Sequence, residues 1–122
     1  MNYIYKLFVI LSIAIITTSC TLDDSTQDDS EYYIKYSASK ITTYPVKGSV
    51  SYTNEQGKSE RLNSGDFFSS GSVTIGPVYK GFTAKLSSSH NISIKIECSK
   101  DGGPFAQKAY DRYGGTIEYK IE

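Results

Sequence analysis

Apolar and polar residues alternate along most of the chain after residue 31, and this period of two restricts the fold more than any other feature. It recurs in residues 32–38, 46–53, 82–87, 92–98 and 116–121. Successive side chains of a strand point to opposite faces, so each segment predicts a strand with one buried and one solvated face. No segment after residue 31 shows the 3.6-residue apolar period of a helix. The sequence therefore predicts an all-β domain.

Turn-forming residues separate these segments at even spacing. The turns are NEQG at 54–57, SSHN at 88–91, SKDGG at 99–103 and DRYGG at 111–115. Gly76-Pro77 indicates an edge strand or a bend, since proline donates no ladder hydrogen bond. Seven or eight short strands favour a sandwich or a small barrel, and single-faced alternation favours the sandwich. We expect a small antiparallel, Ig-like β-sandwich over residues 32–122.

The start of the chain is typical of a secretory signal peptide, predicted here over residues 1–19. Lys6 precedes the nearly uninterrupted apolar run from Leu7 to Ile16, and small residues follow it. A membrane-spanning helix needs about 20 apolar residues, which this run does not reach; a retained anchor helix is the alternative.

The small residues that end at Cys20 resemble a bacterial lipobox. The resemblance implies that the Cys20 thiol receives a diacylglycerol, that the chain is cleaved before Cys20, and that the new amino terminus is acylated, with palmitate as a typical acyl chain. Several acyl chains on one cysteine would hold the protein at a membrane permanently, because each buried methylene contributes about 0.8 kcal/mol. The alternative is an ordinary signal peptide with Cys20 an unmodified thiol.

Residues 20–31 form a predicted disordered tether with five acids, no base and a single large apolar residue, Leu22. Acids directly after a lipidated cysteine resemble the surface-export signal of Bacteroidetes-type lipoproteins, and Asp23 and Asp24 would carry it. We expect a lipid-anchored outer-membrane protein on the cell surface, with the periplasmic face as the alternative.

The predicted domain is moderately basic, with twelve Lys and Arg against eight Asp and Glu in residues 32–122. These bases are scattered at alternate strand positions, which is the usual arrangement of a solvated β surface. The distribution argues against nucleic-acid binding.

The residues that could carry catalysis have structural explanations. Cys98 shares an apolar face with Ile92, Ile94 and Ile96 and is expected in the core. His90, the single histidine, lies in a turn. One histidine and one spare cysteine cannot complete a zinc site, and no calcium or phosphate-binding loop is present. We expect no enzyme activity, metal or cofactor.

Tyrosine is abundant, with 11 residues, and provides the candidate binding feature. Exposed tyrosines can stack on sugar rings or anchor a protein partner. The candidates are Tyr33, Tyr44, Tyr79, Tyr110 and Tyr113, which are predicted on loops or outer faces. The alternative is that tyrosine is simply a favourable strand residue.

Four segments of the carboxyl half resemble small Bacteroidetes-type lipoproteins with an MmpS-like β-sandwich. They are Gly81–Ser87, Ile92–Ile96, Lys100–Phe105 and Gly115–Tyr119. The resemblance extends over residues 32–122 when Val50–Thr53 is included, and it rests on strands and a glycine turn. It implies a non-catalytic, envelope-attached domain. Together with the tyrosines, this leads us to expect a domain that binds a glycan or an envelope or extracellular protein. A periplasm-facing accessory subunit of an envelope transport assembly is the alternative.

Overall fold

The computed structural model describes residues 29–122 and contains ten β-strands in that range. The predicted signal peptide, Cys20, Asp23 and Asp24 lie outside the described residues. No helix within residues 29–122 has the length and apolarity needed to cross a membrane. The strands are β1 (Tyr32–Lys40), β2 (Val46–Lys47), β3 (Val50–Thr53), β4 (Ser59–Arg61), β5 (Phe67–Phe68), β6 (Ser70–Val78), β7 (Thr83–Ser88), β8 (Ile92–Lys100), β9 (Ala106–Asp111) and β10 (Gly115–Lys120).

Eight of these strands form two four-stranded antiparallel sheets, which confirms the predicted all-β sandwich. Sheet I has the order β6-β1-β8-β9, and sheet II has the order β10-β7-β3-β4. The strand β6, which contains Gly76-Pro77, is an edge strand of sheet I, as that dipeptide predicted. The peptide bond between these two residues is cis.

The short strands β2 and β5 pair only with each other, and this separate ladder was not predicted. The segment 46–53 reads as one alternating strand, but it breaks after Lys47. Gly48 N–H donates to the Asp66 carbonyl, and Ser49 N–H donates to Ser89 Oγ. These two bonds turn the chain from the small ladder into sheet II.

The core lies between the sheets and is built by the apolar face of each strand. In sheet I, β1 and β8 supply alternate residues that are almost fully buried, among them Ile34, Tyr36 and Ile96. Sheet II opposes them with Val50 and Leu86. Fully burying an aliphatic side chain contributes roughly 1.5–3 kcal/mol, so each buried aliphatic residue stabilises the fold.

Both described chain ends lie at one end of the sandwich, here called the terminal end. Glu31 and Asp101 exchange hydrogen bonds there, and Ile121 pairs with Gly81 and Phe82. The opposite, distal end holds the loops that follow β1 and β5 and the β7–β8 and β9–β10 turns. Strands of nine residues separate the two ends by roughly 30 Å.

Candidate functional site

The outer face of sheet I carries three aromatic side chains, Tyr33, Phe105 and Tyr110. The strand register places Tyr110 opposite Lys95, and Lys95 opposite Ser37. Tyr33 lies on the same face of β1, two pleats from Ser37. Because alternate positions of each strand face outward, the face forms a continuous surface across all four strands.

A shallow trough of about 230 Å³ lies beside Tyr110 on this face. We call it the Tyr110 trough. Its side-chain lining is Ser37, Ser39, Ser93, Lys95, Gln107 and Tyr110. The three serine side chains are short, so they leave a depression in the outer face of sheet I. The Tyr110 side chain lies at the border of this depression and is 52% exposed.

The Tyr110 trough offers several kinds of polar group beside its aromatic ring. Serine hydroxyls donate and accept hydrogen bonds, and the Gln107 amide does both. Lys95 Nζ lies 3.5 Å from Glu97 Oε1, and the Glu97 side chain is the more buried of the two. Lys35 Nζ lies 5.9 Å from the centroid of the Phe105 ring. The trough therefore combines neutral hydrogen-bonding groups with one partly compensated cation.

The outer face of sheet II differs from that of sheet I in the described residues, because it carries no aromatic side chain. It has a hydroxyl-lined hollow of about 280 Å³, in which Ser87 Oγ and Thr116 Oγ1 lie 2.9 Å apart. Nearby, Lys85 pairs with Glu118 at 3.5 Å, both well exposed. This surface offers hydrogen bonds without an apolar platform.

The five predicted tyrosines do not form one patch. Tyr33 and Tyr110 share the outer face of sheet I. Tyr44 and Tyr113 lie at the distal end, and Tyr79 lies at the terminal end. All except Tyr33 are more than half exposed.

Two exposed aromatic residues, Phe67 and Phe105, were missed at the sequence level. Phe105 directly follows the Gly-Gly-Pro sequence of residues 102–104. Its position on the outer face depends on the path of that segment, which alternation does not report. Phe67 lies in the two-residue strand β5, which is too short to show a period.

Cys98 lies in the core, as expected from its apolar neighbours. Burial raises the pKa of the Cys98 thiol, and the nearby Lys108 cation opposes this in part. The thiol is 6% exposed and stays protonated near neutral pH.

The single histidine, His90, lies exposed in the β7–β8 turn at the distal end. Asp101 is at the terminal end, where its carboxylate accepts the Glu31 N–H. Asp111 Oδ1 accepts the Tyr113 N–H and caps the β9–β10 turn. No group of three or more His, Cys, Asp or Glu in residues 29–122 could hold a metal ion.

No protein-family model, curated protein or solved structure matches this chain.

Proposed function

We propose that this chain is a non-catalytic lipoprotein, anchored through Cys20, whose sandwich binds a carbohydrate chain in the Tyr110 trough. The observation that carries the binding proposal is the exposed Tyr110 ring at the border of a depression lined by serine hydroxyls, Gln107 and Lys95. The lipobox-like end of the signal peptide supports the anchor.

The chemistry of a sugar ring matches the two kinds of surface in the trough. A pyranose presents C–H groups on its faces, which stack on an aromatic ring, and hydroxyls at its rim, which exchange hydrogen bonds with hydroxyl and amide groups. Enclosed small-molecule pockets usually measure about 300–1,000 Å³ and bury most of the ligand. The Tyr110 trough is smaller and open along the face, which suits one unit of a longer chain.

The position of the trough is compatible with an anchor at Cys20. The described chain enters β1 at the terminal end, where Glu31 pairs with Asp101. Ten residues lie between Cys20 and Glu31, so the distance between these two residues is at most roughly 40 Å when the chain is extended. The trough lies on the side of the sandwich, beyond the point of attachment.

Tyr110→Ala tests the binding proposal against Tyr79→Ala as a matched control, because both tyrosines are 52% exposed and only Tyr110 lines the trough. The probes are a glycan array followed by calorimetry with cellohexaose, mannohexaose and the best array ligand. We expect Tyr110→Ala to weaken binding about tenfold, equivalent to about 1.4 kcal/mol. Wild-type binding to no glycan, or equal binding by the two variants, would overturn the carbohydrate assignment.

The anchor has its own test, which is independent of sugar binding. The mass of the native protein should correspond to residues 20–122 plus a diacylglyceryl group and an amino-terminal acyl chain, and Cys20→Ala should release the protein from the membrane fraction. An unmodified Cys20 thiol contradicts the anchor. Protease treatment of intact cells should remove the domain; its protection would favour the periplasmic accessory subunit instead.

A further inference from the structure

The longest exposed sheet edge of the described chain is β6, and it carries no charged residue among its nine positions. The other edge strands of the two four-stranded sheets are shorter and charged. β4 contains Glu60 and Arg61, while β9 and β10 each contain a lysine and an acid. Natural proteins commonly protect free edges with charges, prolines or bulges, because an unprotected edge pairs with another strand.

The register shows which backbone groups of β6 face away from β1. Lys40 N–H donates to the Ser69 carbonyl, so this pair and every second pair after it exchange ladder hydrogen bonds. The N–H and C=O groups of Gly71 and Val73 therefore point toward β1. The N–H and C=O groups of Ser70, Ser72 and Thr74 point toward the free edge.

Only one end of this edge is closed by the surrounding chain. Gly76 N–H also points outward and donates to Glu55 Oε2 at 3.3 Å, and Pro77 follows it without an N–H. The described residues provide no backbone partner for the outward groups of Ser70, Ser72 and Thr74. The side chains of these three residues are small, exposed and neutral.

We propose that two copies of this chain associate through antiparallel pairing of β6 with itself, with Ser72 opposite the partner's Ser72. In this register Ser70 lies opposite the partner's Thr74. All three positions have outward N–H and C=O groups, so each opposed pair exchanges two backbone hydrogen bonds. The strand is self-complementary, as a twofold interface requires.

The side chains of β6 are also compatible with this pairing. On the outer face, serine meets serine and serine meets threonine, which are hydrogen-bonding cross-strand pairs. On the inner face, Val73 lies directly opposite the partner's Gly71, where there is no side chain to clash. No like charges meet along the paired residues, since β6 has none.

The pairing would join the two copies of sheet I into one eight-stranded sheet. Its twofold axis is perpendicular to the sheet, so both outer faces point to the same side. If the Tyr110 trough binds carbohydrate as proposed above, the dimer would present two troughs to one polymer and increase the apparent affinity through avidity. The pairing itself does not depend on that function.

Disulfide trapping in the native envelope tests the register. Directly opposed residues of a hydrogen-bonded pair have Cα atoms about 5.5 Å apart, within the range for a disulfide. We expect Ser72→Cys to form a covalent dimer on mild oxidation. Ser70→Cys, on the same edge, should stay monomeric alone and cross-link only when co-expressed with Thr74→Cys.

Two outcomes would overturn the proposal. One is the absence of a Ser72→Cys dimer, and the other is equal cross-linking of Ser72→Cys and Ser70→Cys, which random collision produces. Sedimentation of the detergent-extracted protein gives a second measurement. Ser72→Lys should shift the protein to monomer, whereas Ser59→Lys, on the exposed edge strand β4, should leave the dimer intact. If the wild-type protein binds no glycan but the cysteine variants cross-link as expected, the result would count against the proposed function and not against the dimer.

Discussion

The Tyr36 hydroxyl, on β1 of sheet I, donates a 2.8 Å hydrogen bond to the carbonyl oxygen of Thr53 in β3 of sheet II. The Tyr36 ring also lies 5.3 Å from the Tyr52 ring, measured between centroids. The Tyr36 side chain is fully buried. One residue therefore connects the two sheets through both packing and a polar contact.

Tyr36→Phe keeps the ring and removes this hydrogen bond, which leaves the Thr53 carbonyl without its partner. We expect a loss of about 1–2 kcal/mol in the free energy of unfolding, measured by urea denaturation with an unchanged m-value. Tyr110→Phe, an exposed control, should change stability by less than about 0.5 kcal/mol. Equal stability of the Tyr36 variant and wild type would show that the bond contributes nothing.

Stability should fall in alkaline solution. Burial raises the pKa of Tyr36 well above its usual value, and burial together with the hydrogen bond to Glu60 raises that of Tyr52. Above about pH 10 the unfolded chain loses tyrosine protons that the folded chain keeps, so the free energy of unfolding decreases as pH rises. Below about pH 10 both tyrosines are protonated in the folded and the unfolded chain, so they do not change the free energy of unfolding with pH.

The ionisation of Tyr36 in the unfolded chain lowers the free energy of unfolding by at most about 1.4 kcal/mol per pH unit. Thermal unfolding between pH 8 and pH 12 measures it, and Tyr36→Phe should give a shallower decline than wild type. A decline of the same steepness in both proteins would exclude Tyr36 as a cause.

Ile96→Ala should destabilise the core strongly. Ile96 has no exposed surface and lies in the central strand β8, so truncation leaves a cavity and costs about 2–5 kcal/mol. Ile41→Ala, at a site 39% exposed, serves as the control and should cost far less. Chemical denaturation measures both. Similar losses would mean that the sheets repack around the cavity.

Gly114→Ala should cost more than Gly57→Ala. Both glycines have positive φ, +100° and +79°, which strains any L-residue by about 1–2 kcal/mol. A Cβ at Gly114 would also collide with the Ser89 carbonyl oxygen, whereas nothing lies within 4 Å of a Cβ at Gly57. Comparing the two unfolding free energies separates the clash from the backbone strain, and equal losses would show that the turn moves aside.

Glu97→Gln should change the charge preference of the Tyr110 trough. Glu97 lies 3.5 Å from Lys95, and its removal leaves the ammonium free for an acidic ligand. If the trough binds carbohydrate, affinity for a uronic-acid oligosaccharide should increase several-fold at low salt, while affinity for a neutral oligosaccharide stays constant. Calorimetry with both probes measures the difference, and a parallel change in both would indicate a structural effect instead.

Alternation predicted the inner and outer faces of the long, regular strands, and these predictions are confirmed in β1, β7, β8 and β10. Ile34 and Tyr36 are buried, and Lys35 and Ser37 face outward. The prediction failed where a strand is short or interrupted. Strand β2 separates from β3 at Gly48. The Gly48–Asp66 hydrogen bond continues the β2–β5 ladder, whereas the hydrogen bonds between Ser49 and Ser89 continue the β3–β7 ladder.

The candidate site was only partly predictable. Tyr33 and Tyr110 were both named from the sequence, but their common face depends on β1 and β9 pairing with opposite sides of β8. Nothing local to either tyrosine contains that information. Phe105 was missed for the same reason, since its contact with Lys35 crosses the sheet.

The amino-acid sequence alone determined which residues of the long, regular strands enter the core, because side-chain direction in an extended chain is a property of neighbouring peptide units. Tertiary structure alone decided which strands became neighbours, that the described ends meet at one end of the sandwich, and that β6 keeps a free edge. Strand pairing depends on contacts between residues far apart in the chain, and their geometry exists only in the folded protein.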